Sequence, residues 1–297
     1  MLEFDFPGVR IGVAEYEEGP TGCTVIHFPN GPFEVATDVR GGSPGTVGGL
    51  HLVDAICLAG GSAYGLEAST GVMAELLAER NYSTAWTDIA LVSGAIVFDF
   101  GRRLNAVYPD KTLGRAALRA AREGVFPLGA RGAGRAASVG KGIAYEQGEP
   151  SGQGGAFRQV GPTKLAVFCV VNAVGAIVDR SGRVVRGNLV HGVRSHYAEA
   201  LERRLAEGRS TEPLPGNTTL TVVVTSQRLG RRELRQLGRQ VHDSMSRAIQ
   251  PFHAMFDGDV LYAVTTAEIE NSALDSTALG VLASELAWDA VLASVES

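Results

Sequence analysis

Cysteine is scarce in this 297-residue chain, and its three copies, Cys23, Cys57 and Cys169, lie far apart with no C-x-x-C pair. That spacing leaves neither a zinc knuckle nor a thioredoxin-type redox site. Proline is limited to 12 residues, and no G-X-Y period accompanies the 38 glycines, so a collagen-like chain is excluded. Positive charge is short as well: 27 basic residues face 32 acidic ones, a net charge of −5. Nucleic acid and anionic membranes both reward a basic surface, so neither is expected as the main partner. No apolar run reaches the roughly 20 residues that span a bilayer. The acidic opening stretch Met1–Gly19 lacks the apolar core of a secretory signal. These absences lead us to expect a soluble cytoplasmic protein with reduced, buried thiols.

What is present is a globular composition, 45% hydrophobic and 20% charged, on a chain long enough to bury a large core. Strand-like runs fall at Thr24–Phe28, Leu52–Ala59, Ile89–Phe98, Leu165–Val178, Leu220–Thr225 and Val260–Thr266. Several are apolar throughout and must be covered on both faces, which predicts layered α and β structure. Helical periodicity occupies Tyr64–Arg80, Leu113–Glu123, Ser195–Glu207, Arg231–Ile249 and Ser276–Val295. In the fourth of these, Leu234, Leu237, Val241, Met245 and Ile249 form an apolar stripe. Arg231, Arg232, Arg235 and Arg239 decorate the remainder as a solvated face interleaved with Glu233 and Asp243. Gly129–Gly155, with nine glycines in 27 residues, reads as loop, and Gly208–Gly216 as a polar linker or surface loop.

Several short motifs fail on their chemistry. Gly41–Gly45 (GGSPG) matches the nucleophile elbow in form, yet the N–H needed after the serine belongs to Pro44, which has none. Gly132–Gly142 resembles a phosphate loop, but Arg135 replaces its first glycine and Gly142 its magnesium-binding hydroxyl. Asp257-Gly258-Asp259 would open a calcium loop, except that Leu261 and Tyr262 occupy later ligand positions. His253 stands near that pair, although the histidines show no metal-ligand spacing. No GxGxxG follows a strand, so dinucleotide binding has no support. We expect no cofactor and no metal.

The stretch from Pro215 through Gly216, Asn217, Thr218 and Thr219 to Leu220 runs from a polar loop into the strand TLTVVVT. On local grounds it is a β-branched strand start after a turn. It also fits a sharper chemistry. The Thr218 hydroxyl attacks the Asn217 carbonyl, the acyl group shifts from N to O, and water releases a new N-terminus. An α-amine has a reference pKa of about 7.7–8.0, so the freed one serves as general base for its own hydroxyl.

Over nearly its whole length, from about Val9 to Ala293, the sequence resembles the L-aminopeptidase/D-esterase family, which includes β-aminopeptidases and nylon-oligomer hydrolases. The carriers are Asp54–Met73, Val92–Phe100, Ser138–Gly142 (SVGKG), Val170–Asp179 (VVNAVGAIVD), Asn217–Thr225 and Ala248–Thr266. The Asn-Thr pair and the IVFDF segment are most similar to the nylon-oligomer-hydrolase branch. The resemblance implies an αββα sandwich of N-terminal-nucleophile type. It also implies cleavage into residues 1–217 and 218–297, which stay together as one domain. Thr218 takes the nucleophile's place, Asn217 the residue before the cut, and Asn172 that of an amide stabilising the oxyanion. Lys141 matches a lysine that lowers the amine's proton affinity, while Asp257 and Asp259 match an acidic pair orienting that amine.

The implied activity is amide hydrolysis of short peptides, amino-acid amides or oligoamides through an acyl-threonine. The implied assembly is a homo-oligomer, often a tetramer, of the cleaved pair. An acetyltransferase of the ornithine type on the same fold, or an uncleaved binding protein, are the alternatives. Three places depart from the family pattern: Arg135-Ala136-Ala137-Ser138 in the glycine loop, Val47-Gly48-Gly49 after SPGT, and Phe98 where relatives carry a tyrosine.

Overall fold

The strands form where alternating or continuous apolar residues have a layer to face on each side. The computed structural model describes residues 1–49, 51–101, 103–210 and 216–295; positions 211–215, including Pro215 and most of the expected linker, lie outside the described residues. The first half supplies β1 (Arg10–Tyr16), β2 (Thr21–His27), β3 (Phe33–Val39), β4 (Thr46–Val47), β5 (Leu52–Val53), β6 (Ala55–Ala59), α1 (Glu67–Glu79), β7 (Val92–Ile96), α2 (Lys111–Arg119) and β8 (Arg122–Glu123). The second half supplies β9 (Gln153–Val160), β10 (Thr163–Asn172), α3 (Tyr197–Ala206), β11 (Thr218–Gln227), α4 (Arg231–Ser244), β12 (Val260–Ile269) and α5 (Ser276–Ala293). Side-chain caps fix two helix starts: Asp110 accepts from Leu113 N–H ahead of α2, and Asp275 from Ala278 N–H ahead of α5.

One six-stranded sheet runs β4-β7-β6-β2-β1-β8, and the other β9-β10-β11-β12-β3-β5. Within the second, β11 and β12 are parallel neighbours, and β10 flanks β11 antiparallel. Residues of β10 separate by parity. Leu165, Val167, Cys169 and Val171 pack with Leu234, Leu237 and Val241 of α4 and with Leu279, Ala283 and Leu286 of α5. Ala166, Phe168 and Val170 face Ile26, Ile56 and Leu58 of the opposite sheet. That sheet's other face, with Cys23, Val25 and Cys57, is covered by Ala68, Val72 and Leu76 of α1 and by Leu113 and Ala117 of α2. The order of layers is therefore α, β, β, α, as the doubly covered strands required.

Several details differ from the sequence expectations: the expected helix Arg231–Ile249 ends at Ser244, and the expected strand Leu52–Ala59 divides into β5 and β6 on different sheets. The run Leu165–Val178 is two strands, broken after Asn172 because Val174 N–H turns away to the Asp257 carboxylate at 3.1 Å. Helix α5, of 18 residues, is long and apolar enough by composition to cross a membrane, yet it packs one face on the sheet through the core residues just named. Strands β1, β3, β4 and β9 carry no strand signal in the sequence, and β8 takes the end of the expected helix Leu113–Glu123, which stops at Arg119. The three cysteines are buried and free.

Candidate active site

The C-terminal end of β10 and the N-terminal ends of β11 and β12 meet at one edge of the inter-sheet core. Antiparallel pairing sets Asn172 opposite Thr218, and the chain just before β11 bridges Asn217 to Asp257 in the loop before β12. Sheet order thus brings together residues that are 40 and 46 positions apart in sequence.

The peptide joining Asn217 to Thr218 is held on several sides. Thr218 Oγ1 donates to the Asn217 carbonyl oxygen at 2.5 Å, and Gly258 N–H donates to the same oxygen at 2.8 Å. Asn217 N–H donates to the Phe256 carbonyl at 3.0 Å. Only glycine fits at 258, because a Cβ there would lie 2.2 Å from the Ser43 carbonyl oxygen. The Gly41–Gly45 turn is therefore the bed on which this loop rests, with Ser43 N–H donating to the Asp257 carbonyl at 3.0 Å. Gly216 takes φ +89°, a conformation that favours glycine, and its open face lies against the Phe98 ring.

Asn172 and Lys141, both buried, stand on one side of this peptide. Asn172 Nδ2 donates to the carbonyls of Phe98 at 3.1 Å and Gly216 at 3.4 Å. Its Oδ1 accepts from Ser138 N–H at 3.1 Å and from Lys141 Nζ at 2.7 Å. Lys141 Nζ also donates to Ser138 Oγ at 2.9 Å and to the Ser138 carbonyl at 3.0 Å. The buried amide thus has the partners that such a group needs.

On the other side lie the carboxylates of Asp257 and Asp259, both fully buried. Asp257 accepts N–H from Val174 at 3.1 Å and from Ala254 at 3.0 Å. Asp259 accepts Thr219 N–H at 2.6 Å and His253 Nδ1 at 2.9 Å. Burial, followed by the neighbouring charge of Asp259, pushes Asp257 up to about 7, against the pull of those N–H groups and Lys141. Asp257 is therefore poised to gain or lose a proton near neutral pH.

All five side chains named from the sequence, with Asn217, gather around this one peptide bond. The sequence did not single out Gly258, whose contribution is a backbone N–H, and it considered His253 only beside a metal. Among the described residues no group of three or more His, Cys, Asp or Glu is placed to hold a metal ion.

A cavity of about 570 Å³ opens onto Lys141, Gly216 and Asn217. Its walls are largely apolar, with Pro20, Phe98, Ala130, Ala136, Ala137 and Pro150. Two arginines lining it are matched by acids: Arg103 by Asp99 at 2.7 Å and Arg135 by Glu17. The departures at Phe98 and at Arg135–Ser138 all face this cavity.

The profile of peptidase family S58 matches residues 4–296 of the chain. The 6-aminohexanoate-oligomer endohydrolase of Agromyces sp. (strain KY5R) is 50% identical over 304 residues, covering 98% of this chain and 85% of that protein. A β-aminopeptidase of Burkholderia sp. superposes with a TM-score of 0.71 at 17% identity, over 98% of this chain and 84% of its own. The L-aminopeptidase D-Ala-esterase/amidase of Ochrobactrum anthropi, a variant of the N-terminal-nucleophile hydrolase fold, gives a TM-score of 0.66 at 16% identity over 98% and 84%. At these identities the two structures speak for the fold alone.

Proposed function

The chain belongs to peptidase family S58 and is a hydrolase of amide bonds, and we propose that it matures by cutting itself between Asn217 and Thr218 and then uses Thr218 as its N-terminal nucleophile. The observation that carries this is the clamped peptide itself: the Thr218 hydroxyl lies 2.5 Å from the Asn217 carbonyl oxygen, which Gly258 N–H also holds. Attack of Oγ1 on the Asn217 carbon places negative charge on an oxygen already facing a backbone donor. Collapse breaks the C–N bond, the Thr218 nitrogen leaves as an amine, and water hydrolyses the Asn217 ester.

In the matured protein the Thr218 amine takes the proton from its own hydroxyl as the hydroxyl attacks a substrate amide. The substrate's amine leaves with that proton, and water releases the acid from the threonine ester. Asp259 and Asp257 hold the amine, Lys141 disfavours its protonated form, and Asn172 supplies an amide donor beside the reacting carbon. The fragments remain one body because β11 and β12, from 218–297, lie between β10 and β3, from 1–217.

The preferred substrates are linear oligoamides with methylene spacers, of which a 6-aminohexanoate oligomer is the test case. The apolar cavity with its acid-matched arginines supports this class over highly charged peptides. We place the protein in the cytoplasm on its three unpaired buried thiols, checked by cell fractionation. Assembly into a homo-oligomer is supported by the exposed Trp86, Tyr82 and Tyr64, and light scattering tests it.

The deciding experiment is a denaturing gel with intact mass. Fragments of about 22.8 and 8.4 kDa are expected, the shares of 31.2 kDa carried by 1–217 and 218–297. Thr218→Ala should give one whole chain without hydrolysis. An unaltered protein that stays whole and hydrolyses no oligoamide, or a Thr218→Ala protein that still does, sinks the proposal.

A further inference from the structure

One pair of rings next to the reacting peptide, His242 buried and His253 half-buried, has no part in the chemistry just described. His253 donates both its backbone N–H (3.2 Å) and its ring Nδ1–H (2.9 Å) to Asp259 Oδ2. Its ring meets that of His242 edge-on, with centroids 4.5 Å apart and planes at 84°. His242, fully buried on α4, is held in turn by Asp38 of β3, with Nδ1 and carboxylate 2.8 Å apart. The two Nε2 atoms are buried and hydrogen-bonded to nothing among the described residues. Each imidazole therefore keeps its proton on Nδ1, facing its carboxylate. His253 holds φ +58°, which residues other than glycine adopt rarely, and such strain collects at functional sites.

We propose that His253 is a positioning residue that keeps the negative charge of the aspartate pair on Asp259, the carboxylate that accepts the N–H of Thr219 next to the nucleophile, with His242 and Asp38 aiming its ring. The inference rests on the threonine-nucleophile reading above. Its logic is one of donors. Asp257 accepts two backbone N–H groups, whereas Asp259 accepts two backbone N–H groups and a ring N–H besides. When two buried carboxylates compete for one proton, the better-solvated one stays ionised. Before cleavage Asp259 Oδ1 accepts Thr219 N–H at 2.6 Å, one residue beyond the nucleophile. After cleavage the new α-amine emerges next to it.

The charged and titratable groups facing His253 are Asp259 on its own loop and His242 on α4. Asp38 of β3 stands behind His242, with Arg40 and Asp243 beyond it. Asp257, acted on by Lys141, completes the set. None supplies Asp259 with a replacement donor if the His253 ring is removed.

The test compares His253→Ala, His253→Asn and the unaltered protein after cleavage is complete, by the pH dependence of kcat and KM on a 6-aminohexanoate oligomer. Losing a charge-assisted donor lowers kcat by roughly 10- to 100-fold with KM within about twofold. It also moves the acid limb of kcat/KM to higher pH, because Asp259 then holds a proton longer. Asn reaches the Nδ1 position with an N–H and should restore the limb. A His253→Ala profile that superimposes on the unaltered one, whatever the loss of rate, overturns the proposal and leaves His253 a loop anchor. Should His253→Ala be insoluble, His253→Gln, whose amide reaches the Nε2 position, replaces it. Equal profiles for Asn and Gln overturn the proposal; a shifted Gln profile beside a normal Asn profile supports it. If the unaltered protein neither cleaves nor hydrolyses, the threonine reading falls and this inference with it. If it does both and only the histidine series is flat, the inference alone falls.

Discussion

Buried acids are treated in opposite ways on the two sheets of the molecule. Around the sheet β4-β7-β6-β2-β1-β8, the outer one as seen from β12, each has a guanidinium: Asp54 meets Arg80 at 2.7 Å, Asp99, which also lines the cavity, meets Arg103 at 2.7 Å, and Glu75 lies between Arg115 and Arg119. In the loop before β12, Asp257 and Asp259 are more deeply buried, yet among the described residues neither has a guanidinium partner. They are held by backbone N–H groups and one imidazole. A guanidinium pair ties the acid's charge up in structure. Backbone dipoles leave Asp257 free to exchange a proton near neutrality, which chemistry can use. The difference separates the acids that build this fold from those that serve its reaction.

The comparison breaks first if an outer acid proves catalytic. Asp99→Ala leaves Arg103 buried without its partner and should cost about 3–5 kcal/mol of stability. Self-cleavage, which needs no substrate, should keep its rate within a few-fold wherever the variant is folded. Calorimetry paired with timed gels measures both, and a large loss of cleavage rate in folded protein would erase the distinction. The converse change is Asp259→Asn. Cleavage and hydrolysis should each fall by on the order of 10²–10³, the size of a lost charge contact to the reacting groups. The melting temperature should move far less than for Asp99→Ala. Rates within tenfold of the unaltered protein would return Asp259 to the structural class.

The same contrast marks how far the sequence could be read. Strands β10, β11 and β12 are legible because their long β-branched runs fit only a doubly covered sheet. Strand β9 (QGGAFRQV) is hidden by paired glycines and β3 (FEVATDV) by the charges of Glu34 and Asp38 at half-buried positions. The outer ion pairs leave no sequence signal, since Asp54 and Arg80 meet only through packing. Thr218, Asn172, Lys141, Asp257 and Asp259 could be named through the family resemblance, but no local pattern links them. Sheet order alone brings them together. Gly258 and His253 escaped because one contributes a backbone N–H and the other a ring aimed by a neighbouring helix. Neither property belongs to residue type.

A subtler test uses stability against pH. Asp257 is held up at about 7 in the folded chain, against about 3.9 unfolded. Between those values the folded state keeps a proton that the unfolded chain releases, so this group's contribution is lost as pH rises from 4 to 7. Asn at 257 does not titrate. In a Thr218→Ala background, which keeps the chain whole, the melting temperature of Asp257→Asn relative to Asp257 should therefore rise between pH 5 and pH 8. Asp54→Asn, whose acid is ion-paired, provides the contrast. A relative melting temperature that stays flat for Asp257→Asn would show that the loop carboxylates are as fixed in charge as the outer ones.

The smallest effect is expected at the cavity wall, where neither kind of acid acts directly. Phe98 lends its carbonyl to Asn172 and its ring to the face of Gly216, and it is half-buried at the mouth of the cavity. Phe98→Tyr keeps both contacts and adds a hydroxyl to the cavity side. Self-cleavage already has Gly258 N–H on its carbonyl, so its rate should not change. Hydrolysis of an added oligoamide should quicken by at most about tenfold, since an unpositioned donor recovers only part of what an oxyanion donor supplies. Parallel measurement of the two rates in one preparation separates the steps. If cleavage accelerates together with hydrolysis, the ring reaches the Asn217 carbonyl as well as the substrate, and Gly258 is not the sole donor in maturation.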